Sequence, residues 1–435
     1  MPVDPGSQVS IYACGPTVYS RVHVGNARPF VIFSLFARFL RSEGYDVRLI
    51  MNVTDINDKI YEAATSQGVG SAELASEMTA AYLADTDRLG LGRPDAEPLA
   101  SETVGPIVAL IEDLVEGDHA YESGGDVYFS VRSFPDYGRL SHRDPDQMDQ
   151  GEGDEAALKR DPLDFALWKA KKEGEDTFWE SPWGPGRPGW HIECSAMAEQ
   201  EAEGLPLAIH GGGSDLIFPH HENELAQSEA ARGVPLARIW MHNGMIETDR
   251  EKMSKSEGNI FQLSEALDRF GREAVVSYLT SGHYRQPLAF GEDALEEAAA
   301  RNERIRNFLR DAEPSDPDPA SEAARDRFRA ALADDFNTPA ANAELFDLLR
   351  LANQGEAPGA APVIREMIGL LGLESLAEEE EGPDGAVLAL LEERELARSE
   401  GDFEGADRIR DQLRDLGWEV RDASGGASLV RLEGP

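Results

Sequence analysis

The chain holds only two cysteines in 435 residues, Cys14 and Cys194. A disulfide framework is therefore excluded. Counting alone permits one bridge, but the chain reads as cytoplasmic, where thiols stay reduced. No run of 18 or more apolar residues occurs, so no membrane span is expected. The opening Met1-Pro2-Val3-Asp4-Pro5 lacks a basic segment followed by an apolar one, so no secretory leader is expected. Positive charge is scarce as well. Lys and Arg number 41 against 82 Asp and Glu, for a net charge of −41. A nucleic-acid partner normally calls for a basic face, so any such face must be local. The remaining surface reads as acidic and heavily solvated, as in salt-adapted proteins, with salt screening its repulsion.

The length points to about two to four domains. Val9 to Cys14 reads as a strand, broken by Gly15-Pro16-Thr17. His23-Val24-Gly25-Asn26-Ala27-Arg28-Pro29-Phe30 then opens an amphipathic run to about Ser42. Strand, turn and helix in that order begin a nucleotide-binding α/β unit. Asp46 to Val53 reads as the next strand and ends in polar Thr54-Asp55-Ile56-Asn57-Asp58-Lys59. Helices are expected over 70–92, 101–117, 264–281, 293–311 and 320–354, with strands over 126–131 and 238–243. The patch from Gln150 to Glu155 is expected to be a loop, and Pro314–Pro319, Gly355–Pro362 and Glu378–Asp384 to be breaks or linkers. The tail reads as a helix, a second helix near 404–416 and two short strands.

Three constellations carry chemistry. His23 and Asn26 at a helix start, beside free helix N–H groups, can stabilise charge on a phosphate; alone, a histidine near a helix start is more often structural. Lys252-Met253-Ser254-Lys255-Ser256 puts two lysines and two hydroxyls on a loop that can grip a pyrophosphate; the plain alternative is a solvated basic loop. The third combines Cys14 and Cys194 with the stretch from His210 to Glu224. There Gly211-Gly212-Gly213 reads as a turn, Asp215 can accept from sugar hydroxyls, and Pro219 suits a first helical turn. His220 and Glu224, at i,i+4, would then share a helical face and offer N and O donors beside the two thiols. The alternative is two core thiols and a solvated His/Glu pair.

The first two constellations resemble the HIGH-like and KMSKS motifs of class I aminoacyl-tRNA synthetases. The finer resemblance is to the cysteinyl-tRNA synthetase family. It rests on Tyr12 to Tyr19, His23 to Phe30, Asn52 to Lys59, Gly186 to Met197, His210 to Glu224, the KMSKS loop, Ser281 to Arg285, Asp335-Phe336-Asn337-Thr338-Pro339 and Ala406 to Asp411. These motifs span nearly the whole chain. The resemblance implies one Zn2+ held by Cys14, Cys194, His220 and Glu224, which also takes the substrate thiolate in preference to a serine hydroxyl. It implies Gly25, Gly213, Asp215 and Lys255 against ATP or the adenylate, and Thr54, Trp190 and His210 around the cysteine. His23, Asn26, Lys252 and Lys255 would be catalytic, with Mg2+ accompanying ATP. Discrimination by the metal would remove the need for an editing domain.

The expected reaction joins L-cysteine and ATP into cysteinyl-adenylate and then charges the terminal adenosine of tRNA-Cys. The expected fold is a doubly wound, Rossmann-like α/β catalytic domain with an insertion, then an α-helical bundle and a small C-terminal α+β module. Its divisions are 1–117 and 186–245 for the catalytic halves and 118–185 for the insertion. Residues 246–312 carry the KMSKS loop and stem-contact region, 320–376 the helical bundle and 386–435 the anticodon-end module. A monomer is expected. Thirteen residues precede Cys14, fewer than is usual in the family, so an N-terminal segment is expected to be missing. The last glycine turn lacks the tryptophan that often follows it. Rival readings are a mycothiol-pathway ligase joining cysteine to an aminosugar, and an inactive RNA-binding paralogue.

Overall fold

The first strand sets the architecture by its alternation. Successive side chains of a strand point to opposite faces. Val9, Ile11 and Ala13 enter one hydrophobic core, while Tyr12 and Cys14 enter another. A strand buried on both faces belongs inside a sheet covered on both sides. The computed structural model describes residues 6–148, 158–202, 204–248, 251–252, 261–378, 385–423 and 426–431. Lys255, the acidic patch from Gln150 to Glu155 and most of the expected acidic linker, 379–384, lie outside the described residues.

In chain order, β1 (Gln8–Ala13) leads to α1 (Val24–Ser42), β2 (Asp46–Met51), α2 (Asp58–Gln67), α3 (Ser71–Asp87) and α4 (Val104–Glu116). Next come β3 (Ala120–Ser123), β4 (Asp126–Phe129), β5 (Phe165–Ala170) and β6 (Gly186–Pro188). Then follow α5 (Trp190–Glu201), β7 (Leu207–Gly213), α6 (Glu222–Arg232) and β8 (Ala237–Asn243). After them stand β9 (Ile246–Thr248), β10 (Glu251–Lys252), α7 (Leu263–Leu279), β11 (Leu288–Ala289) and α8 (Glu292–Asp311). The helices α9 (Pro319–Ala333), α10 (Thr338–Asn353) and α11 (Ala360–Leu370) precede α12 (Gly385–Glu400), α13 (Phe403–Asp415) and a hairpin, β12 (Trp418–Ala423) and β13 (Gly426–Arg431).

The central sheet is parallel, in the order β2-β1-β7-β8. Ile11 stands between Leu49 of β2 and Ile209 of β7. The strands β3, β4, β5 and β6 form a separate antiparallel sheet inserted between β2 and β7. On one face of the central sheet, α1 is apolar almost all round: Phe30, Val31, Phe33 and Leu35 are fully buried. Such a helix must be enclosed, and each of these side chains contributes about 1.5–3 kcal/mol by burial. Helices α7 to α11 complete that core, while α4, α5, α6 and the inserted sheet cover the other face.

Candidate active site

The strand order reverses beside β1: the chain passes first to β2, then returns to β7 on the other side. Ligands of open parallel sheets sit at the carboxyl ends of the strands at such a switch point. Cys14 follows the end of β1, and Gly211-Gly212-Gly213 closes β7. These glycines form a buried strand end, where the sequence pattern suggested a turn. A Cβ on Gly211 would run into the Met241 carbonyl and the Phe33 ring, so close packing of β7 explains the glycine there. Helical backbone resumes at Pro219, directly after Phe218, and runs on into α6, so the proline stands in a first helical turn as expected. Phe218, preceding proline, is extended at φ −140° and ψ 132°, as proline requires of its predecessor.

A cavity of about 500 Å³ opens at this point, with Cys14, His23, Asn26, Trp190, Asp215 and Gly244 among its walls. His23 precedes α1, and its backbone N–H donates to Asn26 Oδ1 at 3.2 Å. A Cβ on Gly25 would stand 2.8 Å from His23 Cε1, so the glycine leaves room for the ring. Gly25 and Gly213 both line the cavity. A Cβ on Gly213 would stand 2.5 Å from Asp215 Oδ1, so the carboxylate lies over bare backbone. Trp190 stacks on His220, with ring centroids 4.3 Å apart. The backbone of Lys252 pairs with Glu247 in β9. After the undescribed residues 253–260, the chain is tied to α1: Val24 N–H donates to Phe261 O, and Leu263 N–H to Val22 O, both at 3.1 Å.

Two expected pocket residues lie off the cavity wall. Thr54 is 1% exposed, and its hydroxyl accepts from Asn52 Nδ2 at 3.2 Å. His210 is fully buried and stacks on Tyr12, because its place in β7 turns it behind Cys14. Its Nε2 lies 3.8 Å from Cys14 Sγ and 3.2 Å from Glu224 Oε2. Sequence spacing gave no means of seeing which side of β7 faced the cavity.

Cys14, Cys194, His220 and Glu224 converge, with their donor atoms all within 4.8 Å of one another and all four residues buried. His220 Nε2 lies 3.1 Å from Glu224 Oε1, its i,i+4 neighbour. Cys14 Sγ lies 3.5 Å from the same oxygen. A second grouping replaces Cys194 and His220 by His210 and His221. Besides His210, three histidines stand around the cluster. His191 Nδ1 meets His220 Nδ1 at 2.9 Å, and His221 Nδ1 meets His242 Nε2 at 2.8 Å.

Burial disfavours the charged form of His191, His220, His221 and His242. It pushes His220 and His191 down to about 3 and His242 to about 4. Burial also raises the Cys14 thiol, with Cys194 and Glu224 adding to the effect. His221 Nε2 and His210 Nδ1 are buried without hydrogen bonds. Orphaned donors and acceptors of this kind require a partner. Two sulfurs, one nitrogen and one oxygen are a donor set that a divalent cation fits, so the arrangement is a possible metal site.

The residues that surround these donors were not singled out from sequence. His191 sits three residues before Cys194 and His221 beside His220, but nothing local indicates what their rings touch. The buried Glu222 carboxylate accepts from the backbone N–H of Gly138 at 2.9 Å and Ser141 at 2.7 Å. It thereby fastens the inserted region to α6, two residues from Glu224. Arg28, fully buried, donates to Gly244 O at 2.7 Å and Met245 O at 3.2 Å.

The family model for the class I (C) tRNA synthetase catalytic domain matches residues 2–300. A DALR domain matches 327–374, and the cysteinyl-tRNA ligase anticodon binding domain matches 381–428. The cysteine–tRNA ligase of Thioalkalivibrio sulfidiphilus is 46% identical over 448 residues, covering 99% of this chain and 96% of that one. That of Halorhodospira halophila is 46% identical over 453 residues, with the same coverage. That of Caldicellulosiruptor saccharolyticus is 42% identical, covering 99% and 97%. Among solved structures, methionyl-tRNA synthetase of Mycobacterium tuberculosis in complex with methionyl-adenylate superposes with a TM-score of 0.64 at 16% identity, covering 88% of this chain and 94% of that one. The LeuRS–tRNA–LeuAMS complex of Agrobacterium radiobacter gives 0.65 at 12% identity, covering 87% and 85%. These two likenesses speak for the fold; full-length identity above 40% speaks for the family. With its catalytic, DALR and anticodon-binding segments in this order, the chain belongs to the cysteinyl-tRNA synthetase family of class I aminoacyl-tRNA synthetases.

Proposed function

We propose that the chain activates L-cysteine with ATP to cysteinyl-adenylate and transfers the cysteinyl group to the 3′-terminal adenosine of tRNA-Cys, using a zinc site of Cys14, Cys194, His220 and Glu224. The observation that carries this reading is the double position of Cys14, which belongs to the cavity wall and to the cluster of donors. A ligand seated in the cavity is thus within reach of the metal site.

Zinc, when bound, supplies a soft Lewis acid that takes a thiolate in preference to a hydroxyl and lowers the thiol pKa. His220 would offer Nε2 to the ion, since its Nδ1 is engaged by His191. Trp190, stacked on His220, walls the amino-acid end of the cavity. His210 acts behind the donors, as support for Cys14 and Glu224, and Thr54 through the buried loop it holds. Gly213 admits the adenosine ribose close to the backbone, and Asp215 accepts from its hydroxyls. Gly25 gives His23 its place, and His23, Asn26 and the N-terminal N–H groups of α1 stabilise charge that develops on the α-phosphate. Lys252 and Lys255 hold the departing pyrophosphate, with Mg2+ bound to ATP. No side chain need act as a nucleophile: positioning and charge stabilisation suffice.

The two thiols suit a cytoplasmic setting, and no described helix is long and apolar enough to cross a membrane. The aminosugar ligase is not favoured, because an anticodon-binding segment has no use without tRNA. Zinc-loaded protein should show cysteine-dependent ATP–pyrophosphate exchange, weak exchange with serine, and charging of tRNA-Cys. Absence of exchange from fully metallated, folded protein would defeat the reading. Ligation to an aminosugar in place of tRNA would select the rival.

A further inference from the structure

The turn between α9 and α10 carries two non-glycine residues in the left-handed region, Asp335 at φ 55° and Phe336 at φ 50°. Left-handed backbone costs a bulky side chain energy, so surrounding contacts must hold this turn. Phe336 is buried against two side chains of α1, Phe36 at 5.2 Å and Phe39 at 6.4 Å between ring centroids. Asp335 turns the other way. Its Oδ1 accepts from Tyr284 Oη at 2.9 Å and Arg285 Nη2 at 2.7 Å, and its Oδ2 from Arg285 Nε at 2.6 Å. This is a forked, charge-assisted grip.

The segment held by that grip reaches the cavity. Tyr284 O accepts from Gly244 N–H at 2.6 Å. Gly244 O accepts from Arg28 of α1 at 2.7 Å, and Leu288 N–H donates to Met245 O at 2.9 Å. A Cβ on Gly244 would collide with the backbone of Gln286 and Pro287. Gly244 and Met245 line the cavity, and β9 and β10 lead from them to Lys252. Segment 283–288 is therefore a strut, with Asp335 at one end and the cavity wall at the other.

Resting on the function proposed above, we propose that Asp335 is a positioning residue for adenylate formation. Through Arg285 and Tyr284 it fixes where Gly244 and Met245 stand in the cavity wall, with Met245 Sδ 3.7 Å from where a Cβ on Gly213, proposed for the ribose, would stand. The placement of the helical region is thereby felt at the site of the first reaction step.

The test is ATP–pyrophosphate exchange by zinc-loaded, full-length Asp335→Asn. Asparagine tolerates the left-handed backbone but gives up the charged fork. The KM for ATP should rise about tenfold, the order expected for a lost bond to a charged group. The KM for cysteine and the zinc content should stay as in the parent. Arg285→Lys should reproduce the effect, and the double variant should be no worse than either single one. Arg327→Met is the control, because it breaks the Arg327–Glu344 contact between α9 and α10 without touching the strut. A purely structural role would lower Tm and the active fraction alike in Asp335→Asn and Arg327→Met, leaving both KM values unmoved. That result overturns the proposal. If Asp335→Asn does not fold, Arg285→Lys decides by the same criterion. A parent protein without cysteine-dependent exchange would defeat the function itself, an outcome distinct from an unmoved KM in an active enzyme.

Discussion

His191 Nδ1 sits 2.9 Å from His220 Nδ1, while His220 Nε2 faces Glu224 Oε1 at 3.1 Å. One Nδ1 must donate to the other. If His220 donates, its Nε2 keeps a lone pair toward the proposed metal, and His191 fixes both tautomer and ring orientation. His191→Phe should therefore weaken zinc binding by about 10–100-fold, the usual loss when such a partner is removed. Competition against a chelating indicator measures it. Unchanged affinity in folded protein would show that His191 only fills space.

The two possible ligand groupings share Cys14 and Glu224 and differ in the other two residues. Cys194→Ala and His220→Ala should each reduce bound zinc from about one ion per chain to a small fraction, since each removes one of the four proposed protein donors. His221→Ala should retain the metal. Retention by the first two variants and loss by the third would place the ion at His210 and His221.

Gly25→Ala would put a methyl 2.8 Å from His23 Cε1 and 2.9 Å from Nδ1. The ring must then move. Misplacement of a catalytic group on this scale costs about 100-fold in rate, so the rate of pyrophosphate exchange should fall by about that factor. Bound zinc should not change. An exchange rate within a factor of about two of the parent would mean that His23 takes no part in the step.

Arg285 beside Asp335 holds its carboxyl below the usual aspartate range, with Tyr284 assisting. A carboxylate depressed in the folded state adds stability above its unfolded pKa of about 3.9. That contribution is lost as pH falls through the lower, folded value. The Tm gap between the parent and Asp335→Asn should thus be full at pH 6 and close below about pH 4. A gap independent of pH would argue that the fork contributes nothing as an ion pair.

With 82 acidic residues against 41 basic ones, self-repulsion should be the main electrostatic cost of folding. At about 1 M salt the screening length falls to roughly 3 Å. Tm should therefore rise between low salt and 1 M KCl. A flat or falling Tm by scanning calorimetry would count against an acidic surface tuned to salt.

The sequence made strands and long helices legible where alternation or 3.6-residue spacing was strong. β1, β2, β8 and α1 fall where their apolar patterns put them. α2 escaped notice because only Ile60 and Ala64 of it are buried, too few to mark a face. Gly211 to Gly213 suggested a turn because the reason for those glycines is Phe33 and Met241, distant in sequence. His220 and Glu224 were legible as an i,i+4 pair on one helical face. The rings of His191, His221 and His242 had no local signature, since α5, α6 and β8 become neighbours only in the folded sheet. Arg28 was equally opaque: its acceptors are carbonyls more than 200 residues away.

The donors Cys14 and Cys194 stand 180 residues apart (194 − 14), and the inserted antiparallel sheet lies between them. A metal held by both would close that stretch into a ring. The chain entropy lost in closing a ring grows only with the logarithm of its length, about 0.6 kcal/mol for each doubling. Lengthening or trimming the inserted sheet would hardly alter the stability that the metal confers. As far as ring closure is concerned, the length of this part is therefore nearly free to vary, while the points where it is fastened stay where they are.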